Sequence, residues 1–267
     1  MKLDRTTQQY LRLLEALHQA VIATDAEGVI TLWSPIAEKL YGWPADEVIG
    51  RNVLDITPME LSRSEGAEIM QALARGELWS GAFSVRKRGG KAFVASVTDV
   101  PLLSDTGQVA GVIGVSAASR APTAVRSLLK RFASASEKVW PKQVTFDVAL
   151  PRNARVAATE PHMIQLLSLL MLLYGDSLEG GAGVSIRAVN AENSPFADFG
   201  LAFASSALYI RIDRRDSQTT YSVLRSLPFS AEPTKYASAL VRMVGGMLMA
   251  STAPDRPSAM HLFLPIE

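Results

Sequence analysis

Three histidines, His18, His162 and His261, and no cysteine make up the nitrogen and sulfur ligands of this 267-residue chain. The lack of cysteine excludes disulfides, thiolate metal sites and cysteine nucleophiles together. The histidines lie in a first helix, just before an apolar helix and in a last strand. They share a metal only if distant segments converge. Each is expected to be structural, and neither a catalytic group nor a metal site is expected. Other chemistry-bearing side chains are isolated. Asp213 and Asp216 stand in "IRIDRRDSQTT", where a single aspartate near a strand end reads as a solvated loop residue. Lys235 in "SAEPTKYASALV" could meet an anion as a point charge, or be a solvated first-turn lysine. The aromatics Trp33, Tyr41, Phe83 and Phe93 could line a pocket for a small ligand or simply form a core.

The elements that must position these groups belong to an ordinary globular chain. Hydrophobic residues are 48 % and charged residues 20 % of the sequence, and the net charge is +1. Such a balance gives no overall field to recruit nucleic acid or an anionic membrane. The longest apolar run, Met163 to Tyr174 in "HMIQLLSLLMLLYGDSLEGG", is shorter than the roughly 20 residues a bilayer-spanning helix needs. It ends in the stop signals Gly175-Asp176 and Gly180-Gly181, so it reads as a core helix in water. The start, "MKLDRTTQQYLRLL", places polar and charged residues where a signal peptide needs an apolar core. The expectation is a cytoplasmic protein.

Tyr10, Leu11, Leu14 and Leu17 make an amphipathic stripe on a helix over residues 1–19. That stripe either packs on the domain that follows or pairs with its copy in a homodimer. "AVIATDAEGVITLWS" predicts strand, turn and strand, with Gly28 in the turn. Ser34-Pro35 supplies an N-cap and a first-turn proline for "IAEKLYGW". Short helical pieces run to about Ile56, and a longer helix spans about Ser64 to Arg75. Three strands follow, "LWSGAFSVRKR", "KAFVASVTDVPLL" and "VAGVIGVSAAS", turned by Gly89-Gly90 and by Asp105-Thr106-Gly107. Residues 121–140 read as a connecting helix. Beyond them, strands and helices alternate in the pattern of a layered α/β sandwich.

Two stretches carry family resemblances. "GVITLWSPIAEKLYGWPADEVIGRNVLDI" is similar to the start of a PAS domain, and "GELWSGAFSVRKRGGKAFVASVTDVPLLSDTGQVAGVIGVSAASR" resembles its closing strands. The resemblance implies, for residues 20–120, an antiparallel five-stranded sheet with helices on one face, which commonly encloses a small ligand. The covalent flavin type would need a cysteine, and the haem type a histidine on the long helix; "SEGAEIMQALAR" has neither. A noncovalent flavin, another small molecule or an empty core remains, and no cofactor is assigned.

Residues 141–267 resemble the ATP-binding domain of histidine kinases. The match lies in "ATEPHMIQLLSLL", "SLEGGAGVSIRAV", "LPFS" and "ALVRMVGGMLMASTAPDRPSAMHLFLPIE". The resemblance implies an α/β sandwich of that ATPase type, with the ATP-binding groups missing. The family's magnesium-holding asparagine falls at Leu173, beside Met171, Leu172 and Tyr174, none of which can ligate a hard cation. No glycine lies between Gly200 and Gly245, where the family spaces glycines after its adenine-reading aspartate. The segment opening the last helix should cradle phosphates with backbone amides. Here it holds Glu232, which repels phosphate, and Pro233, which lacks an amide donor. The connector is also too short for the phosphoacceptor hairpin and has no histidine.

The overall expectation is α+β: a PAS domain followed by a degenerate kinase-type domain. The function expected is non-catalytic signal transduction as a homodimer, with a histidine kinase or response regulator as partner. The alternative is an atypical ATP-dependent kinase or ATPase using Asp213 or Asp216 in a remodelled pocket.

Overall fold

The computed structural model describes residues 5–57, 63–104, 106–119, 124–151, 154–156, 158–172, 183–190, 207–214, 224–225, 232–252 and 257–265. The chain divides into two compact units, Leu14–Arg120 and a second formed by Met1–Leu13 with Ala121–Glu267. Helix α1, Arg5–Ala16, thus contributes its first residues to the C-terminal unit, where Trp140 Nε1 donates to Gln9 Oε1 at 3.0 Å.

In the N-terminal unit, β1 (Ala20–Asp25) and β2 (Ile30–Trp33) form a hairpin. Its turn is held by Asp25, whose Oδ1 accepts from the backbone amides of Glu27 and Val29, and by Gly28 at φ 81°. Ser34 then caps α2 (Pro35–Tyr41) by accepting from the Ala37 amide. Pro35 opens the helix, and Gly42 closes it in the left-handed conformation, donating to the Glu38 carbonyl. Helices α3 (Ala45–Val48), α4 (Val53–Ile56) and α5 (Arg63–Ala74) follow.

Strands β3 (Trp79–Arg86), β4 (Ala92–Leu103) and β5 (Val109–Ala118) complete a five-stranded antiparallel sheet in the order β2-β1-β5-β4-β3. This is the expected sheet. Its core joins Ile22, Trp33, Tyr41, Ile56, Leu73 and Phe83. Each such side chain, once buried, stabilises by about 1.5–3 kcal/mol. At the β1–β5 crossing a Cβ on Gly111 would lie 2.2 Å from the Thr24 carbonyl oxygen, so the strands can approach there only over a glycine.

In the C-terminal unit, α6 (Val125–Val139) buries Val125, Leu128, Leu129, Phe132 and Ala135, one stripe at helical spacing. Phe132 meets Phe146 of β6 (Val144–Ala149) edge-on at 6.3 Å between ring centres. Strand β6 pairs in parallel with β7 (Val184–Asn190), and α7 (Glu160–Leu172) lies in the crossover that parallel pairing requires. The sheet continues antiparallel through β8 (Ala207–Arg214), β11 (Pro257–Pro265), β10 (Met247–Thr252) and β9 (Leu224–Arg225). Helix α8, Glu232–Met243, packs on α7 and ends at Gly245, φ 69°. Helix α7 buries Met163, Ile164, Leu166, Leu167, Leu170 and Met171, so it is covered on nearly all sides, as a helix apolar all round must be. Among the described residues no helix is long and apolar enough to cross a membrane.

Candidate functional site

Alternation along the strands of the N-terminal unit decides which side chains reach the helices. One row of the sheet runs Ile22 on β1, Gly114 on β5, Asp99 on β4 and Trp79 on β3. The next row places Ser116 opposite Val97. Ile22, Gly114, Asp99, Val97 and Ser116 of these rows, with residues of α4 and α5, line a cavity of about 250 Å³. Ile22, Val97, Phe83, Ile69 and Leu73 make its walls apolar. Leu54 and Met70 also line it, and each is 62 % exposed, so they form an apolar rim.

Three polar features stand on that apolar lining. Tyr41 Oη and Ser116 Oγ are hydrogen-bonded at 2.9 Å. The tyrosine is pushed up to about 12, first by burial, against a lowering by Ser116, with the nearby Asp99 adding to the rise. Asp99 itself is pushed from 3.8 up to about 7 by burial. Its carboxylate lies over Gly114, where a Cβ would come within 2.8 Å of Oδ1. The glycine leaves room for the carboxylate and keeps the cavity open.

The four aromatics named from sequence fall in one core, and two of them line the cavity. Tyr41 and Phe83 are on its wall. Trp33 packs on Tyr41 at 5.5 Å between ring centres and donates through Nε1 to the Trp43 carbonyl. Phe93 lies 5.9 Å from Tyr41 with Lys87 Nζ over its ring. Asp99 was not among the candidates. Its signal was parity: Phe93, Ala95, Val97, Asp99 and Pro101 share one face of β4, and a carboxylate interrupts an otherwise apolar series.

The cavity also sets a size limit. An engineered cavity of about 150 Å³ takes benzene, so this one takes a molecule of about ten non-hydrogen atoms. A haem macrocycle or a flavin nucleotide is far larger, and the residues lining the cavity do not fit either group. Among the described residues no cluster of His, Asp and Glu is placed to hold a metal.

Elsewhere, Leu14 and Leu17 of the first stripe are buried within the single chain, while Tyr10 and Leu11 are half-buried. His18 is exposed just past α1, with φ 59°. The backbone amide of His162 meets Thr159 Oγ1 at the start of α7. His261 is fully buried in β11, where its Nδ1 and Tyr209 Oη are 2.8 Å apart. Asp213 is in β8, paired in register with Ser185 and Ala259. Leu173, Tyr174, Asp216 and the "LPFS" segment lie outside the described residues. Helix α8 begins at Glu232, which puts Pro233 in its first turn.

With this geometry established, comparison with known proteins places the N-terminal unit. Residues 8–116 match the PAS fold. The chain is 24 % identical over 117 residues to the methanogenesis regulatory histidine kinase FilI of Methanothrix harundinacea, covering 43 % of this chain and 13 % of that protein. It is 42 % identical over 55 residues to the sensor protein FixL of Bradyrhizobium diazoefficiens, covering 20 % of this chain and 11 % of that protein. Both relatives are thus many times longer than the matched region. A PAS domain crystal structure from Colwellia psychrerythraea is 21 % identical, with 42 % of this chain and 95 % of that one covered and a TM-score of 0.38. The N-terminal unit is a PAS domain with histidine-kinase sensors among its relatives.

Proposed function

We propose that this chain is a non-catalytic signal-transduction protein. Its PAS domain acts as sensor and dimerisation domain. It is coupled to a C-terminal domain of histidine-kinase ATPase ancestry that has lost ATP binding and docks a partner, a histidine kinase or a response regulator. The observation that carries the sensing half is the cavity between sheet and helices, largely apolar but holding the half-buried carboxylate of Asp99. Sites that bind small molecules combine an apolar lining with a few placed polar groups in this way.

Two features support the loss of ATP binding. The helix that should present a magnesium ligand is buried on nearly all sides. The helix that should open on phosphate-binding amides starts with Glu232 and Pro233. Calorimetric titration of the full chain with ATP and Mg²⁺, on wild type and on Leu173→Asn, tests this half. Neither protein is expected to release binding heat, since restoring one amide leaves the glycine elements absent. Micromolar binding by the wild type would transfer the function to an ATP-dependent kinase or ATPase using Asp213 or Asp216.

A further inference from the structure

Among the described residues the cavity of the PAS domain is lined by three carboxylate residues, Asp25, Glu27 and Asp99, and by no lysine, arginine or histidine. Asp25 is committed to the β1–β2 turn, where its Oδ1 already accepts two backbone amides. Glu27 lies in the same turn. Asp99 is different. It stands in the middle of the sheet, on the cavity side, and its carboxylate has no hydrogen-bonding side chain among the described residues. A charge buried without a partner is costly unless it is paired or gives up its ionisation. Its rise to about 7 records the second option for the unliganded domain.

The geometry points to a compact hydrophobic amine as the ligand class of this cavity, its ammonium group seated on Asp99 and its apolar body among Ile22, Phe83, Val97 and Leu73. The inference rests on reading the cavity as a ligand site, and narrows it. An ammonium supplies the positive charge and the donors that Asp99 lacks. The Tyr41 and Ser116 hydroxyls spend one proton on each other and keep acceptor lone pairs for the same cation. Among the described residues an anionic ligand would meet three carboxylates and no counter-charge. Size agrees as well. About 250 Å³ holds one ring with a short aminoalkyl arm. The exposed side chains of Leu54 and Met70 mark an apolar mouth that suits such a body better than a polar metabolite.

Three probes of matched length test this on the full chain at about pH 8, where Asp99 is ionised in the unliganded domain. They are 2-phenylethylamine, propylbenzene and 3-phenylpropanoate, each titrated by calorimetry against wild type and Asp99→Asn. A hydrogen-bonded charge pair less its desolvation gives about a tenfold to hundredfold preference. The wild type should therefore bind the amine at least tenfold more tightly than propylbenzene. Asp99→Asn should erase that preference, weakening the amine while propylbenzene binds no more weakly than before. The amine's affinity should also rise from about pH 6 to about pH 8, because Asp99 must lose its proton to pair. Among the described residues the other titratable groups lining the cavity are Tyr41 of α2 and the turn carboxylates Asp25 and Glu27. Equal binding of amine and propylbenzene, or tightest binding of the propanoate, overturns the amine class while leaving the cavity a ligand site. Binding of none of the three by a protein whose β4 and β5 amides are protected from hydrogen exchange overturns both readings. If Asp99→Asn does not hold its melting transition, Asp99→Ser and the wild-type probe series decide the same question.

Discussion

Replacing Asp99 by asparagine tests the burial argument without any ligand. In the folded PAS domain this carboxyl sits near 7, against an ordinary 3.8. The folded state therefore holds the proton more tightly than the unfolded chain does. Stability from this group is fully present below about 3.8 and is lost as pH rises through about 7. With about 1.4 kcal/mol for each tenfold change in proton affinity, the loss is about 2 kcal/mol at pH 5 and about 4 kcal/mol at pH 8. Asparagine keeps the shape and cannot ionise. Its buried amide costs about 1–3 kcal/mol at every pH. The stability difference between mutant and wild type should thus swing in the mutant's favour by about 2 kcal/mol from pH 5 to pH 8. A chain of two units does not melt in one step, so the readout must belong to the PAS domain. Hydrogen exchange of β4 and β5 amides, corrected for intrinsic rates, reports its opening free energy. Parallel pH profiles for the two proteins would refute the reasoning. They would mean that Asp99 is solvated, and the amine inference would lose its central group.

Other expectations are as direct. Tyr41→Phe removes one partner of a buried hydroxyl pair and strands Ser116, so PAS-domain stability should fall by about 1–2 kcal/mol, measured by the same exchange experiment. Tyr41→Phe with Ser116→Ala together should cost less than the sum of the two single changes. In the C-terminal unit His261 is lowered to about 4, first by burial and then by Arg211. Its contribution is present above about 6.5 and lost as pH falls toward 4. Acidifying from pH 7 to pH 5 should therefore cost that unit about 2 kcal/mol, a loss that His261→Phe abolishes in exchange at β8 and β11 amides. The two units should thus respond to acid with opposite sign. For assembly, light scattering should give a dimer for the full chain and a monomer for Leu11→Glu, since Leu11 is a half-buried part of the α1 stripe while Leu14 and Leu17 are already buried. A monomeric wild type would end the homodimer proposal.

What could be read from the sequence was whatever depends on neighbours along the chain. Ser34-Pro35 and Gly42 bracket α2 as caps do anywhere, so that helix was legible almost to the residue. The β3–β5 meander was legible from its glycine turns, and α6 from its stripe. The cavity was not, because it belongs to no single segment. It exists where Gly114 on β5 withholds a side chain opposite Asp99 on β4, under Ile69 and Leu73 from α5. Aromatic residues were the natural guess for its lining, yet Trp33 and Phe93 found partners in the core beside it. Asp99 could have been found by counting parity along "AFVASVTDVPLL" rather than by reading that stretch simply as one strand. The two-residue strand β9 carries too little pattern to be read at all.

The division of labour we propose follows from where burial leaves room. A magnesium ion keeps several of its waters and needs oxygen ligands facing an open site. On α7, Met163 to Leu167 are buried without a break, and so are Ser168, Leu170 and Met171. Ser168 Oγ, one of the few polar atoms on that helix, is buried with no hydrogen-bond partner among the described residues. Opening α7 to a hydrated ion would expose several of these side chains, at about 1.5–3 kcal/mol each. That cost is comparable to the whole stability of a domain. The PAS domain presents the reverse balance. Asp99, half-buried on the cavity wall, already bears part of the cost of desolvation, and a ligand that pairs with it relieves that cost. In this chain the packing that favours a stable core lies in the C-terminal unit, and the unpaired charge that favours binding lies in the PAS cavity.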